Sequence, residues 1–203
     1  NGSMGKVLPG IRAAIIDERG NELPRGICDR LAVKRPWPGL MKTVWNNPER
    51  FASYFQDEWY ISGDTAYQDS DGYFWFQGRD DDMIKSAAER VSPFEIESVL
   101  LSHPDVAEVG VIGKPHELYG AIIKAFILLK PDVEKTADLE LRLIAHARKT
   151  LAIYELPREI EFVRTLPKTR SGKIMRRVLR AREMGEEPGD LSTLDIEMNP
   201  EES

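Results

Sequence analysis

Apolar and polar residues alternate over short stretches in the first ~80 residues, the period-two signature of half-buried strands. The pattern predicts a strand over Ile11–Asp17, closed by the turn Asp17-Glu-Arg-Gly20, and a second over Asp29–Lys34. Arg35-Pro-Trp-Pro-Gly39 follows as a rigid loop, and Asn47-Pro-Glu-Arg-Phe51 has the form of a short helix start with proline just inside it. Trp59-Tyr-Ile61 predicts a strand that ends at Ser62-Gly-Asp64. Asp69-Ser-Asp-Gly72 predicts a hairpin turn between Ala66–Tyr67 and the aromatic strand Tyr73–Phe76.

From Asp80 the texture changes. Met83–Lys85 and Glu89–Val91 predict two short strands. Ser92-Pro-Phe-Glu95 predicts a helix start, with serine as N-cap, proline in the first turn and Glu95 completing a capping box. That helix is expected to end near Ser102. Strands are predicted over Val106–Ile112, Ile122–Leu129 and Ile160–Val163. Leu139, Leu141, Leu143, Ile144 and Leu151 give a helical face across Ala137–Leu151, and Ile174–Glu183 predicts a basic helix. The sequence is thus expected to be α+β: the β-rich end of a larger domain over residues 1–79, then a small, mobile α+β domain over 80–183. Residues 184–203 are expected to be a flexible, solvated tail, because 183–203 hold eight acids and no base. The start at Asn1 is read as a piece of a longer chain.

Composition narrows the function classes. The chain has 203 residues, and 41% are hydrophobic and 31% charged, enough for a core and a soluble surface. No apolar run approaches the ~18 residues of a membrane span, and no signal-peptide pattern opens the chain, so a cytoplasmic protein is expected. Cys28 is the only cysteine and cannot form an internal disulfide; with three histidines out of ligand spacing, no metal site is expected. A net charge of −6 argues against a general nucleic-acid binder.

Three stretches combine glycine with polar residues in ways a core does not need. In Tyr60-Ile-Ser-Gly-Asp64 the carboxylate after glycine is placed either to accept two hydrogen bonds from a diol or to serve as an ordinary turn aspartate. In Gly78-Arg-Asp-Asp-Asp-Met-Ile-Lys85 the three aspartates are unsuited to one metal ion, because neighbours on extended chain point opposite ways. The stretch reads as a polar joint, with Arg79 a planar donor fork and Asp81 the position that absorbs rotation; a plain linker is the alternative. In Leu166-Pro-Lys-Thr-Arg-Ser-Gly-Lys173 a glycine-containing loop can present Lys173 to an anion, although the phosphate-loop pattern G-x-x-x-x-G-K-[ST] is not met. A surface basic patch is the alternative there.

Taken in order, these stretches resemble the adenylate-forming superfamily of acyl-CoA synthetases, peptide-synthetase adenylation domains and luciferase-type enzymes. Tyr60–Asp64 resembles its Y-x-[TS]-G-D motif, Gly78–Lys85 its G-R-x-D-D-x-[IL]-K motif, and Ser92-Pro-Phe-Glu-Ile-Glu97 its P-x-E-[IV]-E helix. Pro167–Arg177 is similar to the acyl-CoA synthetase form of its last motif, and Gly2–Gly10 to the segment just past its acyl pocket.

The resemblance implies an AMP-forming acid–thiol ligase, using a small carboxylic acid such as acetate, ATP with Mg2+, and CoA. It implies that Lys173 is catalytic in the first step and open to silencing by acetylation. Asp64, Arg79 and Arg90 would bind nucleotide, Asp81 would be the hinge, and Ala87 and Ala88 would line the CoA tunnel. Ala88 stands where the family usually has glycine. The family's ATP phosphate loop and acyl pocket are not in this sequence, so the piece alone is not expected to catalyse adenylation. Two alternatives stay open: a ligase that loads a carrier protein, and a non-catalytic interaction module using the basic helix. The sequence leaves the oligomeric state unknown.

Overall fold

The computed structural model of the protein describes residues 2–86 and 89–195. The chain divides into two compact units, Asn1–Asp81 and Asp82–Ser203. The first is an antiparallel sheet of five strands: β1 (Ala13–Ile16), β2 (Asp29–Lys34), β3 (Phe55–Gln56), β4 (Trp59–Gln68) and β5 (Phe74–Arg79). β4 is the centre. It pairs with β2 on one edge and with β3 and then β5 on the other. Alternation sends Ile16 to one face with Ala14, Ala32 and Trp59, and Ile15 to the other with Ala66 and Phe74. A short helix α1 (Pro48–Ser53) precedes β3, capped by the Asn47 side chain, which accepts from the Arg50 amide at 2.9 Å.

One expectation fails here for a physical reason. The strand predicted to stop at Ser62–Asp64 instead runs on to Gln68. Glycine usually reads as a strand breaker, but Gly63 (φ +79°) falls within a register shift of β4 against β2, between Ile61 and Thr65, and a second shift, against β5, follows at Thr65/Ala66.

The second unit contains the hairpin β6 (Ile84–Ser86) and β7 (Glu89–Val91), then α2 (Pro93–Leu101), β8 (Val106–His116), β9 (Gly120–Leu129), α3 (Leu139–Ala147), β10 (Glu159–Val163) and α4 (Arg176–Met184). Its main sheet has the order β10-β9-β8, with β8 antiparallel and β10 parallel to β9. β9 is covered on both faces. Ile123, Ala125 and Ile127 point into the core with Ile96 and Leu100 of α2 and Leu139 and Leu143 of α3. Phe126 points the other way, to Leu179 of α4 and Leu166. Gly110 on β8 lets α4 come close, since a Cβ there would sit 2.7 Å from Leu179 Cδ1.

Two further expectations need correction. Ser92 is the N-cap of α2 and Pro93 lies in its first turn, but no side-chain cap bond forms, so the capping box is absent. Glu95 instead lies where burial, and then the Glu155 charge, push its carboxyl above its ordinary value. The acidic segment after α4 is largely exposed over its described part, but it turns back on the helix and buries one residue. Gly185 (φ +66°) closes the helix, and Leu194 is buried against Met175 and Val178. Seven acids in the segment hid two leucines, Leu191 and Leu194, that have an apolar face of α4 to cover. No helix among the described residues is long and apolar enough to cross a membrane.

Candidate functional site

The first unit brings three of the predicted residues together. β4 and β5 pair so that Asp64 lies opposite Arg79. Arg79 Nη1 donates to Asp64 Oδ1 at 3.2 Å, and its Nε donates to Asp81 Oδ1 at 3.1 Å. The three form a carboxylate–guanidinium–carboxylate row. Burial works against the Arg79 charge, but Asp81 and Asp64 outweigh it and hold the group above its ordinary value. The row remains accessible, with the Asp64 and Arg79 side chains 31% and 38% exposed.

Gly63 explains why the row can form. A Cβ at Gly63 would lie 2.8 Å from Arg79 Nη2, so the guanidinium crosses the strand over a position with no side chain. Ser62 fixes the backbone next to it, its hydroxyl donating to Leu31 O at 2.8 Å and accepting from the Asp64 amide at 3.1 Å. The Asp80 amide donates to Gly63 O at 2.9 Å, extending the pairing beyond Arg79. Asp81 is the last residue of this unit.

The second unit carries Lys173 on the tip of a tight hairpin. Lys168 and Ile174 form its antiparallel base, and the Thr169 amide donates to Lys173 O at 2.9 Å. At the turn the Gly172 amide donates to Thr169 O at 2.8 Å, and Thr169 Oγ1 accepts from the Lys173 amide at 3.1 Å. Ser171, Gly172 (φ +82°) and Lys173 are all exposed. The tip is therefore an internally hydrogen-bonded turn with an exposed lysine. Arg90 is exposed on β7, opposite Lys85 in the β6–β7 pair. Ala87 and Ala88, expected at the CoA tunnel, lie outside the described residues.

Sequence reasoning missed one cluster. Arg176, three residues past Lys173, donates through Nε to Glu97 Oε1 at 2.9 Å and through Nη1 to Asp82 Oδ2 at 2.8 Å. Glu97 Oε1 also accepts from the Val111 amide at 2.8 Å. The Glu97 and Asp82 carboxylates outweigh the burial that disfavours the Arg176 charge, and its pKa is raised. The partners are 79 and 94 positions away in sequence, so no local pattern announces them. At the hairpin base, Lys168 Nζ donates to both oxygens of Glu108, at 2.8 and 2.9 Å. Among the described residues, no three His, Cys, Asp or Glu side chains are grouped to hold a metal ion.

The sequence profile described as AMP-binding enzyme C-terminal domain matches residues 95–173. The acetyl-coenzyme A synthetase of Bacillus subtilis (strain 168) is 55% identical over 195 residues, which cover 96% of this chain and 34% of that protein. The acetyl-coenzyme A synthetase of Methanothrix thermoacetophila is 44% identical, with 98% of this chain and 31% of that protein covered. The chain thus spans about a third of the length of these relatives. Among solved structures, an anthranilate CoA ligase, AuaEII, in complex with anthranoyl-AMP matches with a TM-score of 0.81 and 39% identity, over 90% of this chain and 35% of that one. ATP-bound MatB from Rhodopseudomonas palustris matches with a TM-score of 0.80 and 33% identity, over 89% and 35%. The ordered motifs, the two-faced sheet of the second unit and these likenesses agree: residues 95–173 match the AMP-binding enzyme C-terminal domain, and nearly the whole chain is similar to one part of these synthetases and ligases.

Proposed function

We propose that the chain is part of an AMP-forming acyl-CoA synthetase that converts a short-chain acid, acetate by its likeness to the relatives above, through an acyl-adenylate to the CoA thioester. The observation that carries this reading is Lys173 itself: an ammonium group on an exposed, internally bonded tip, in a chain 55% identical to an acetyl-coenzyme A synthetase.

Asp64 accepts the two ribose hydroxyls, and Arg79 fixes the orientation of that carboxylate. Lys173 spans a carboxylate oxygen of the acid and an oxygen of the α-phosphate. As the acid oxygen bonds to phosphorus and pyrophosphate leaves, charge builds at oxygens that Lys173 stabilises. Lys173 then withdraws by rotation about Asp81, the residue that ends the first unit. In the second step the CoA thiol loses its proton, its sulfur attacks the acyl carbon, and AMP leaves. Arg90 faces the phosphate side of the nucleotide. The Mg2+ that accompanies ATP would be held by the nucleotide phosphates and mainly by the rest of the protein.

The test uses the full-length protein with ATP, Mg2+ and acetate, and follows acetate-dependent exchange of pyrophosphate into ATP. Lys173→Ala is expected to slow exchange by about 100-fold or more, the scale of losing one electrostatic contact to a developing anion. CoA thioester formation from supplied acetyl-adenylate should persist. No exchange by the folded wild-type protein would favour a non-catalytic interaction module.

A further inference from the structure

The acidic segment after α4 has no part in the reaction just described, yet it is built against the lysine hairpin. Beyond Gly185 the chain turns back along α4. Arg177 Nη1 donates to Pro188 O at 2.6 Å, and its Nη2 to Asp190 O. Leu191 and Leu194 then pack on Met175 and Val178, and Leu194 is 3% exposed. That places residues 193–195 beside the strand that climbs to the tip. Thr169 and Leu194 form an antiparallel bridge. The Arg170 amide donates to Thr193 O at 3.2 Å, and the Asp195 amide donates to Lys168 O at 2.9 Å.

The hairpin therefore has a third strand. One edge of 168–170 bonds to 173–174 and the other to 193–195. A two-stranded hairpin is marginal in water, and a third strand with a buried side chain gives it a fixed position. Lys173 needs that fixity, because misplacing a catalytic group by about 1 Å can cost about 100-fold in rate.

We propose that residues 186–195 are a brace for the Lys173 hairpin, with Leu194 as a positioning residue for the first half-reaction. This rests on Lys173 acting as proposed above. The brace works through backbone pairing and one leucine.

The experiment compares Leu194→Ala, Asp195→Pro and Lys173→Ala in the full-length protein. Asp195→Pro removes the amide that bonds Lys168 O together with the Asp195 carboxylate, so Asp195→Ala, which keeps the amide, is its control, and the pair tests the brace if Leu194→Ala folds poorly. Pyrophosphate exchange is measured beside thioester formation from supplied acetyl-adenylate. The expected result is a loss of about tenfold or more in exchange for both brace variants, carried by kcat rather than by the KM for ATP, with thioester formation changed less than about twofold. Leu194→Met, close in volume, should restore exchange. Unchanged exchange in both brace variants, with Lys173→Ala inactive, overturns the brace and leaves the role of Lys173 standing. Equal losses in both half-reactions also overturn it, because a brace on the lysine tip acts on the first alone. Full exchange by Lys173→Ala removes the reading on which the brace depends.

Discussion

At the residue scale, Gly63 is where conformation and chemistry coincide. Its positive φ and the guanidinium 2.8 Å from its absent Cβ set the position of Arg79, and through Arg79 that of Asp64. Gly63→Ala is expected to cost about 1–3 kcal/mol in stability, since alanine is strained at that backbone conformation. In the full-length protein it should also raise the KM for ATP by about tenfold, as Arg79 moves off the carboxylate it orients. Thermal unfolding and ATP-dependent kinetics check the two effects separately; a normal KM would show that the row has no part in nucleotide binding. Asp64 and Lys173 could be singled out from the sequence because glycine marks their neighbourhoods. Arg176 could not, since its partners Glu97 and Asp82 come from distant parts of the chain.

At the scale of elements, α4 is held by more than its apolar face. Glu183 near its end accepts from Lys124 at 2.5 Å and from Lys114 at 2.8 Å, while Lys124 also pairs with Glu161 and Lys114 with Glu159. Lys124 lies on β9 between buried neighbours, and its ammonium group is tolerated there because two carboxylates meet it. Burial pushes the Glu183 carboxyl up, but the two lysines outweigh it and hold the group below its ordinary value. A carboxyl depressed on folding stabilises the folded state above its unfolded pKa, about 4.3, and that contribution is lost as pH falls through the folded value. Glu183→Gln should therefore cost about 1.5–3 kcal/mol at pH 7. The gap to wild type should narrow as the pH is lowered past about 4, read by denaturant unfolding across a pH series. A gap independent of pH would mean that the network adds nothing through charge. The helix itself was legible as a basic run over Ile174–Glu183, whereas the return of the chain beyond it was hidden by its acids. β4 was read too short for the opposite reason: one glycine outweighed the strand residues on both sides of it.

At the scale of the whole molecule, the second unit contains its own core. Its buried cluster runs from Ile84 to Leu156, and among the described residues its strands pair within the unit. Residues 82–203 expressed alone are expected to unfold in one cooperative thermal transition; a broad, non-cooperative melt would contradict this. The α+β character of this unit was legible because its strands and helices keep clean periods. The parallel partner of β9 was not, since nothing local to Glu159–Val163 says which strand it will join or in which direction. That partnership bears on speed. β8 and β9 are joined by a short connection and can zip together early, whereas β10 must wait for some thirty intervening residues, α3 among them, to be organised. Refolding should therefore be paced by the arrival of β10, leaving one flank of β9 open to pairing with foreign strands until then.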